Sequence, residues 1–157
     1  MTVYRPSPAP SFLRRRGAMI RESRRALTVR DVLLIAPETP EAALAEAMIH
    51  LMYGYGTHIA IARTIGTGLD RLLAGMPDLV VLSDRLPPQD DAVGCMPILR
   101  RCGYRGPVVV IGPTGGRERA KQLREAGAAD ALARHEIDGA RFAEAMLAAQ
   151  AHACAAD

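Results

Sequence analysis

DLVVLSDRLPP, residues 78–88, closes the apolar run Leu79-Val80-Val81-Leu82 with a serine, an aspartate and a proline-bounded turn. Four apolar residues between polar and proline neighbours are the pattern of a strand buried on both faces of a parallel sheet. In such sheets ligands gather just beyond the carboxyl ends of the strands. Ser83 and Asp84 stand at that end, so their chemistry decides what the chain can do there.

The same pattern recurs on either side. Upstream, Val32-Leu33-Leu34-Ile35 and His58-Ile59-Ala60-Ile61-Ala62 read as strands; downstream, Pro107-Val108-Val109-Val110-Ile111 is another and Ala129 to Ala133 a weaker one. Helical patterns lie between them. Thr39 offers an N-cap before Pro40, with Leu44, Met48, Leu51 and Tyr55 at helical spacing. Thr67 is expected to cap a helix carrying Leu69, Leu72, Leu73 and Met76. Gly94 and Pro97 lie inside the third helical segment, and an interior proline costs about 3 kcal/mol, so that helix is expected to start near Met96 or to be irregular before it. The fourth helix aligns Ala120, Leu123 and Ala126; Asp138 is expected to cap a last helix with Phe142, Ala145, Met146 and Ala149 in line. Strand and helix thus alternate five times, a (βα)5 chain, which right-handed crossovers fold into a doubly wound parallel sheet with helices on both faces.

The 157 residues suffice for one domain with a real core, built mostly from Ala, Val, Leu, Ile and Met because only Tyr4, Phe12, Tyr53, Tyr55, Tyr104 and Phe142 are aromatic. No apolar run approaches the roughly 18 residues of a membrane-spanning helix, and the start lacks the apolar core of a secretory signal. Cys95, Cys102 and Cys154 show no metal-ligand spacing and read as reduced, structural thiols.

The net charge of +3 hides an asymmetry: residues 1–30 carry eight arginines against Glu22, whereas residues 31–157 hold 12 basic against 16 acidic groups. The expected organisation is a basic, largely flexible arm over 1–30, a domain over 31–150 and a tail over 151–157. Arg14, Arg15, Arg16, Arg21, Arg24 and Arg25 are candidates for salt-dependent binding of nucleic acid or an anionic membrane, without a base-reading motif. An organelle-targeting role for the arm is a weaker alternative.

Three stretches in register, DLVVLSDRLP, GPVVVIGPTG and REAGAADALARHE, resemble the response-regulator receiver domain of two-component signalling over roughly residues 31–150. The resemblance implies a flavodoxin- or CheY-like fold with strand order 2-1-3-4-5. It also implies a pocket of two acids after the first strand holding Mg²⁺, a phosphoacceptor Asp ending the third, a hydroxyl residue ending the fourth and a Lys ending the fifth. At those positions this chain has Ala36-Pro37, with Glu38 the nearest acid, then Ser83, Gly112 and Arg134; the aromatic switch position is Ala131. Asp84 is one residue out of register, and strand alternation turns it from the pocket. The expectation is an atypical receiver without aspartyl phosphorylation, cofactor, metal or enzyme activity.

With no effector domain seen after residue 150, output is expected through docking to a histidine kinase, a phosphotransfer protein or another regulator, or through a homodimer. The resemblance places the contact on the fourth helix, fifth strand and fifth helix, with Arg117, Arg119, Arg124, Ala131, Arg134 and Arg141 as candidate residues. It implies a bacterial cytoplasm. Arg134 is expected to be a surface cation or to pair with Glu136 or Asp138, His135 to be a loop histidine, and His50 to suit the end of its helix. Thr114-Gly115-Gly116 reads as a turn and cap rather than a phosphate cradle.

Overall fold

A computed structural model describes residues 29–156 other than 55, 113–115 and 138. The Arg-rich arm, Tyr55, the Thr114-Gly115 turn and the Asp138 cap therefore lie outside the described residues.

The strands are β1 (Asp31–Ile35), β2 (His58–Ala62), β3 (Leu79–Ser83), β4 (Arg85–Leu86), β5 (Asp90–Asp91), β6 (Val108–Ile111) and β7 (Asp130–Leu132). The helices are α1 (Pro40–Tyr53), α2 (Ile65–Ala74), α3 (Ala92–Arg101), α4 (Gly116–Glu125) and α5 (Gly139–Ala156), with a 3-10 turn over Arg134–Glu136. Five strands form one sheet in the order β2-β1-β3-β6-β7, every pairing parallel. Setting aside the two-stranded antiparallel hairpin β4–β5, this is the expected 2-1-3-4-5 order.

Alternation along each strand divides the core in two. Val32, Leu34, Val81, Val109 and Leu132 face α1 and α5, meeting Ile49, Phe142 and Met146. Leu33, Ile35, Val80, Leu82 and Val110 face α2, α3 and α4, meeting Leu72, Leu99 and Leu123. Each fully buried Leu, Ile or Phe contributes roughly 1.5–3 kcal/mol over exposure. Close packing favours glycine at Gly68 of α2, where a Cβ would come 2.7 Å from the Cδ1 of the buried Ile35.

Several local expectations are corrected. On α1 the buried face is Ala42, Ala45 and Ile49, whereas Leu44 and Leu51 are 40% and 78% exposed. On α2 only Leu72 of the expected row is buried; Leu73 is 74% exposed, and Met76, beyond the helix end at Ala74, is 51% exposed. Small alanines can approach the sheet more closely than leucines, so apolar spacing named the wrong stripe on α1. Surface Leu and Met faces, not evident in the sequence, are thus present. The N-cap of α2 is Thr64; Thr67 is its reciprocal partner in a capping box, each side chain bonding the other's backbone amide. Helix α3 begins at Ala92 and includes Pro97. Asp91 caps its start by accepting from the Gly94 amide at 2.8 Å, which anchors the turn that the interior proline was expected to disrupt.

Candidate functional site

The loops beyond the carboxyl ends of β1, β3, β6 and β7 form the candidate site. Strand alternation continues past the end of β3: Leu79 and Val81 lie on the α1/α5 face, Val80 and Leu82 on the α2/α3/α4 face. Ser83 follows the first series and Asp84 the second. The Ser83 hydroxyl is half-buried and donates to the carbonyl of Arg85 at 3.1 Å.

Asp84 has no exposure at all. Its carboxylate accepts from Arg119 of α4 twice, Nη2 to Oδ1 at 2.6 Å and Nε to Oδ2 at 3.0 Å. Arg119 Nη2 also reaches Asp91 Oδ2 at 3.2 Å, and Nη1 donates to Gln122 at 2.8 Å. One guanidinium thereby ties the end of β3, the cap of α3 and the body of α4. Paired, fork-to-fork geometry of this kind is what makes a buried charge tolerable. The bond from the Gly94 amide, with Arg119 beside it, holds the Asp91 carboxyl below its usual range. Arg119 was expected as an exposed partner contact; its side chain is 15% exposed and committed inward.

Ala36 is fully buried, its amide bonded to the Ala62 carbonyl and its own carbonyl accepting from Arg63 Nη1 at 3.3 Å. Pro37 is half-buried and Glu38 exposed. Gly112 has φ +72°, a conformation that disfavours any side chain, and its amide bonds Leu132 O at 2.8 Å. Arg134 pairs with Glu41 in the first turn of α1 rather than with Glu136, which is taken by Arg141 at 3.1 Å; Asp138 lies outside the described residues. An Mg²⁺ ion does not fit this donor set: alanine and proline replace the acidic pair, and the Asp84 oxygens are filled by a guanidinium. Among the described residues no cluster of His, Cys, Asp or Glu is placed to hold a metal. A shallow cleft of about 460 Å³ remains beside Pro37, between it and the β4–β5 hairpin at Arg85 and Pro88.

A larger groove of about 630 Å³ lies on α4, β7 and α5. Asp130, 5% exposed, organises its base, accepting from Arg124 at 3.1 Å and from Arg141 at 2.9 and 3.0 Å. Burial would raise that carboxyl, but the bonds from Arg141, the Ala131 amide and Arg124 prevail and hold it below its usual range. Ala131 is buried to 3% exposure, so of the partner residues expected from sequence it offers a methyl floor rather than a protruding contact. Arg117, Arg124 and Arg141 line the groove, whereas Arg134 turns to Glu41. Lys121 joins them, and sequence reasoning passed it over. The available signal was the spacing of Arg117, Lys121 and Arg124 at i, i+4 and i+7, one stripe of a helix.

His135 is exposed in the 3-10 turn and His50 lies in the last turn of α1. Cys95 is buried, and burial, with Asp90 and Asp91 adding to it, pushes its thiol up to about 11, an unreactive environment. Cys102 is half-buried. No described helix is long and apolar enough to cross a membrane.

Neither a family model nor a curated relative matches the sequence. Solved structures do match. The receiver domain of the Francisella response regulator 1452 is 18% identical, with 76% of this chain and 96% of that one covered and a TM-score of 0.60. The beryllofluoride-activated NtrC4 receiver domain dimer is 16% identical over 81% and 98%, TM-score 0.62. The NtrX receiver domain from Brucella abortus is 21% identical over 74% and 98%, TM-score 0.60. At these identities the likeness concerns the fold: the chain has the CheY-like α/β fold of response-regulator receiver domains.

Proposed function

We propose that this chain is an atypical receiver: a signalling regulator that works by protein–protein contact in a two-component-type pathway, independently of aspartyl phosphorylation. The observation that carries the reading is the placement of Asp84. The carboxylate nearest the end of β3 is sealed from solvent and doubly bonded to Arg119, while Ser83 occupies the register position of a phosphoacceptor. A phosphoryl group needs an exposed carboxylate oxygen for in-line attack and a metal to neutralise its charge. Asp84 offers neither, and serine in its place is not an aspartyl acceptor.

Arg119 also bridges α4 to β3 and α3, which favours one fixed arrangement of the α4 face. A fixed face suits a constitutive partner surface, and we assign docking to α4, β7 and α5. Its partner would be a histidine kinase, a phosphotransfer protein, another regulator or a second copy of the chain; the similar NtrC4 receiver is a dimer in its solved structure. On this reading the protein is not an enzyme and acts in a bacterial cytoplasm.

The test is an amide-resolved NMR titration of the full chain with Mg²⁺ and then beryllofluoride. The expected result is no response at Glu38, Ser83, Asp84 and Gly112. Saturable shifts clustered there overturn the reading.

A further inference from the structure

The groove on α4, β7 and α5 has the dimensions of a small-molecule site, and its walls select for charge. Its volume, about 630 Å³, falls within the roughly 300–1,000 Å³ of ligand pockets. Arg117, Lys121 and Arg124 share one stripe of α4 facing the groove, and all three are exposed. Like charges at such spacing repel one another along a helix, and a bound anion relieves that repulsion. Their partners leave donor capacity over. Arg124 uses only Nη2 on Asp130, at 3.1 Å, and Lys121 has Glu125 no nearer than 4.0 Å. Arg117 has no ion pair among the described residues. Across the groove Arg141 is held rigidly by Asp130 and Glu136. The floor between these walls is methyl groups, Ala120 and Ala131.

We infer that this groove binds a small organic anion with two phosphoryl groups and a flat apolar part, the chemistry of a nucleoside diphosphate. Two phosphates span the cationic stripe of α4, since guanidinium forks match phosphate oxygens and a lysine neutralises a second group. The ring lies on the alanine floor, in a groove that His135 and Glu136 also line. The inference shares a face with the docking assignment and goes beyond it. A ligand there would compete with or complete a partner surface, yet its binding is read on the chain alone, with no partner present. It is equally independent of the beryllofluoride experiment, which reads residues at the other loops.

The experiment is an NMR titration of the full chain with ADP and GDP, alongside pyrophosphate and adenosine, at fixed ionic strength. The expected result is saturable shifts over Gly116–Glu125 and Asp130–Leu132, with either nucleotide binding at least tenfold more tightly than pyrophosphate or adenosine. Arg117→Ser with Lys121→Ser, both at exposed positions, should weaken binding at least tenfold. Serine at Arg14, Arg15, Arg16, Arg21, Arg24 and Arg25 should change it less than twofold. Shifts confined to residues 1–28, or indifference to the double variant, overturn the proposal. So does an acidic peptide that displaces ADP at a tenth of its concentration, which would give the groove to a protein partner.

Discussion

Arg119 on α4 holds the carboxylate of Asp84, thirty-five residues earlier in the chain, through two hydrogen bonds of 2.6 and 3.0 Å, and Asp84 has no solvent exposure. A carboxylate in that position without its guanidinium would be a buried, uncompensated charge. Arg119→Met should therefore destabilise the fold by roughly 3–5 kcal/mol. Pairing it with Asp84→Leu should recover much of the loss, because removing both charges removes the desolvation cost as well. Urea unfolding of the two variants checks this; equal losses would mean that the pair contributes packing rather than compensated charge.

Acid should weaken both ion-pair networks. Asp130 and Asp91 both have carboxyls held below their ordinary range in the folded chain. Their contributions are complete above the unfolded carboxylate pKa of about 4 and are lost as pH falls below it. Stability should thus drop on acidification below about pH 4, and Asp130→Asn should flatten that limb. Denaturant midpoints taken across the acid range read the slope directly.

Restoring a hydroxyl at the end of β6 should not restore a phosphoryl pocket. Gly112 has φ +72°, where a β-carbon costs roughly 1–2 kcal/mol. Gly112→Thr should lower stability by about that amount, and Gly112→Thr with Ser83→Asp should remain unresponsive to beryllofluoride in fluorine NMR, since Ala36 and Pro37 still supply no metal ligand.

The buried and exposed apolar residues of α1 should behave oppositely. Ile49 is fully buried and Ile49→Ala should cost roughly 2–5 kcal/mol. Leu51, 78% exposed, should tolerate serine within about 0.5 kcal/mol. Thermal melts of both variants decide whether the face set by alanines is the packed one.

The arm carries a separate prediction. Replacing Arg14, Arg15, Arg16, Arg21, Arg24 and Arg25 with serine should reduce the salt slope of duplex DNA binding by up to about five, with no change in the melting of the domain. A slope unchanged by these substitutions would place polyanion binding elsewhere on the chain.

Much of the fold was written locally. Continuous apolar runs such as Leu79–Leu82 specify strands buried on both faces, the caps and proline at Thr39-Pro40 start a helix, and regular alternation of the two forces parallel crossovers. The expected departures from the receiver pattern at Ala36, Pro37, Ser83, Gly112 and Arg134 likewise rest only on register along the chain. What the tertiary structure decided was direction and partnership. Pleat parity sends Ser83 and Asp84 to opposite faces, but only the placement of α4 beside α3 delivers Arg119 to Asp84 and Asp91. Glu41, distant in sequence, takes Arg134; Asp130 gathers Arg124 and Arg141; and alanines rather than leucines seat α1 on the sheet. Sequence by itself determined the elements, because hydrophobic period and capping act within a few residues. The ion pairs and the groove came from the packed fold, because a charge's partner is set by which surfaces the crossovers bring together.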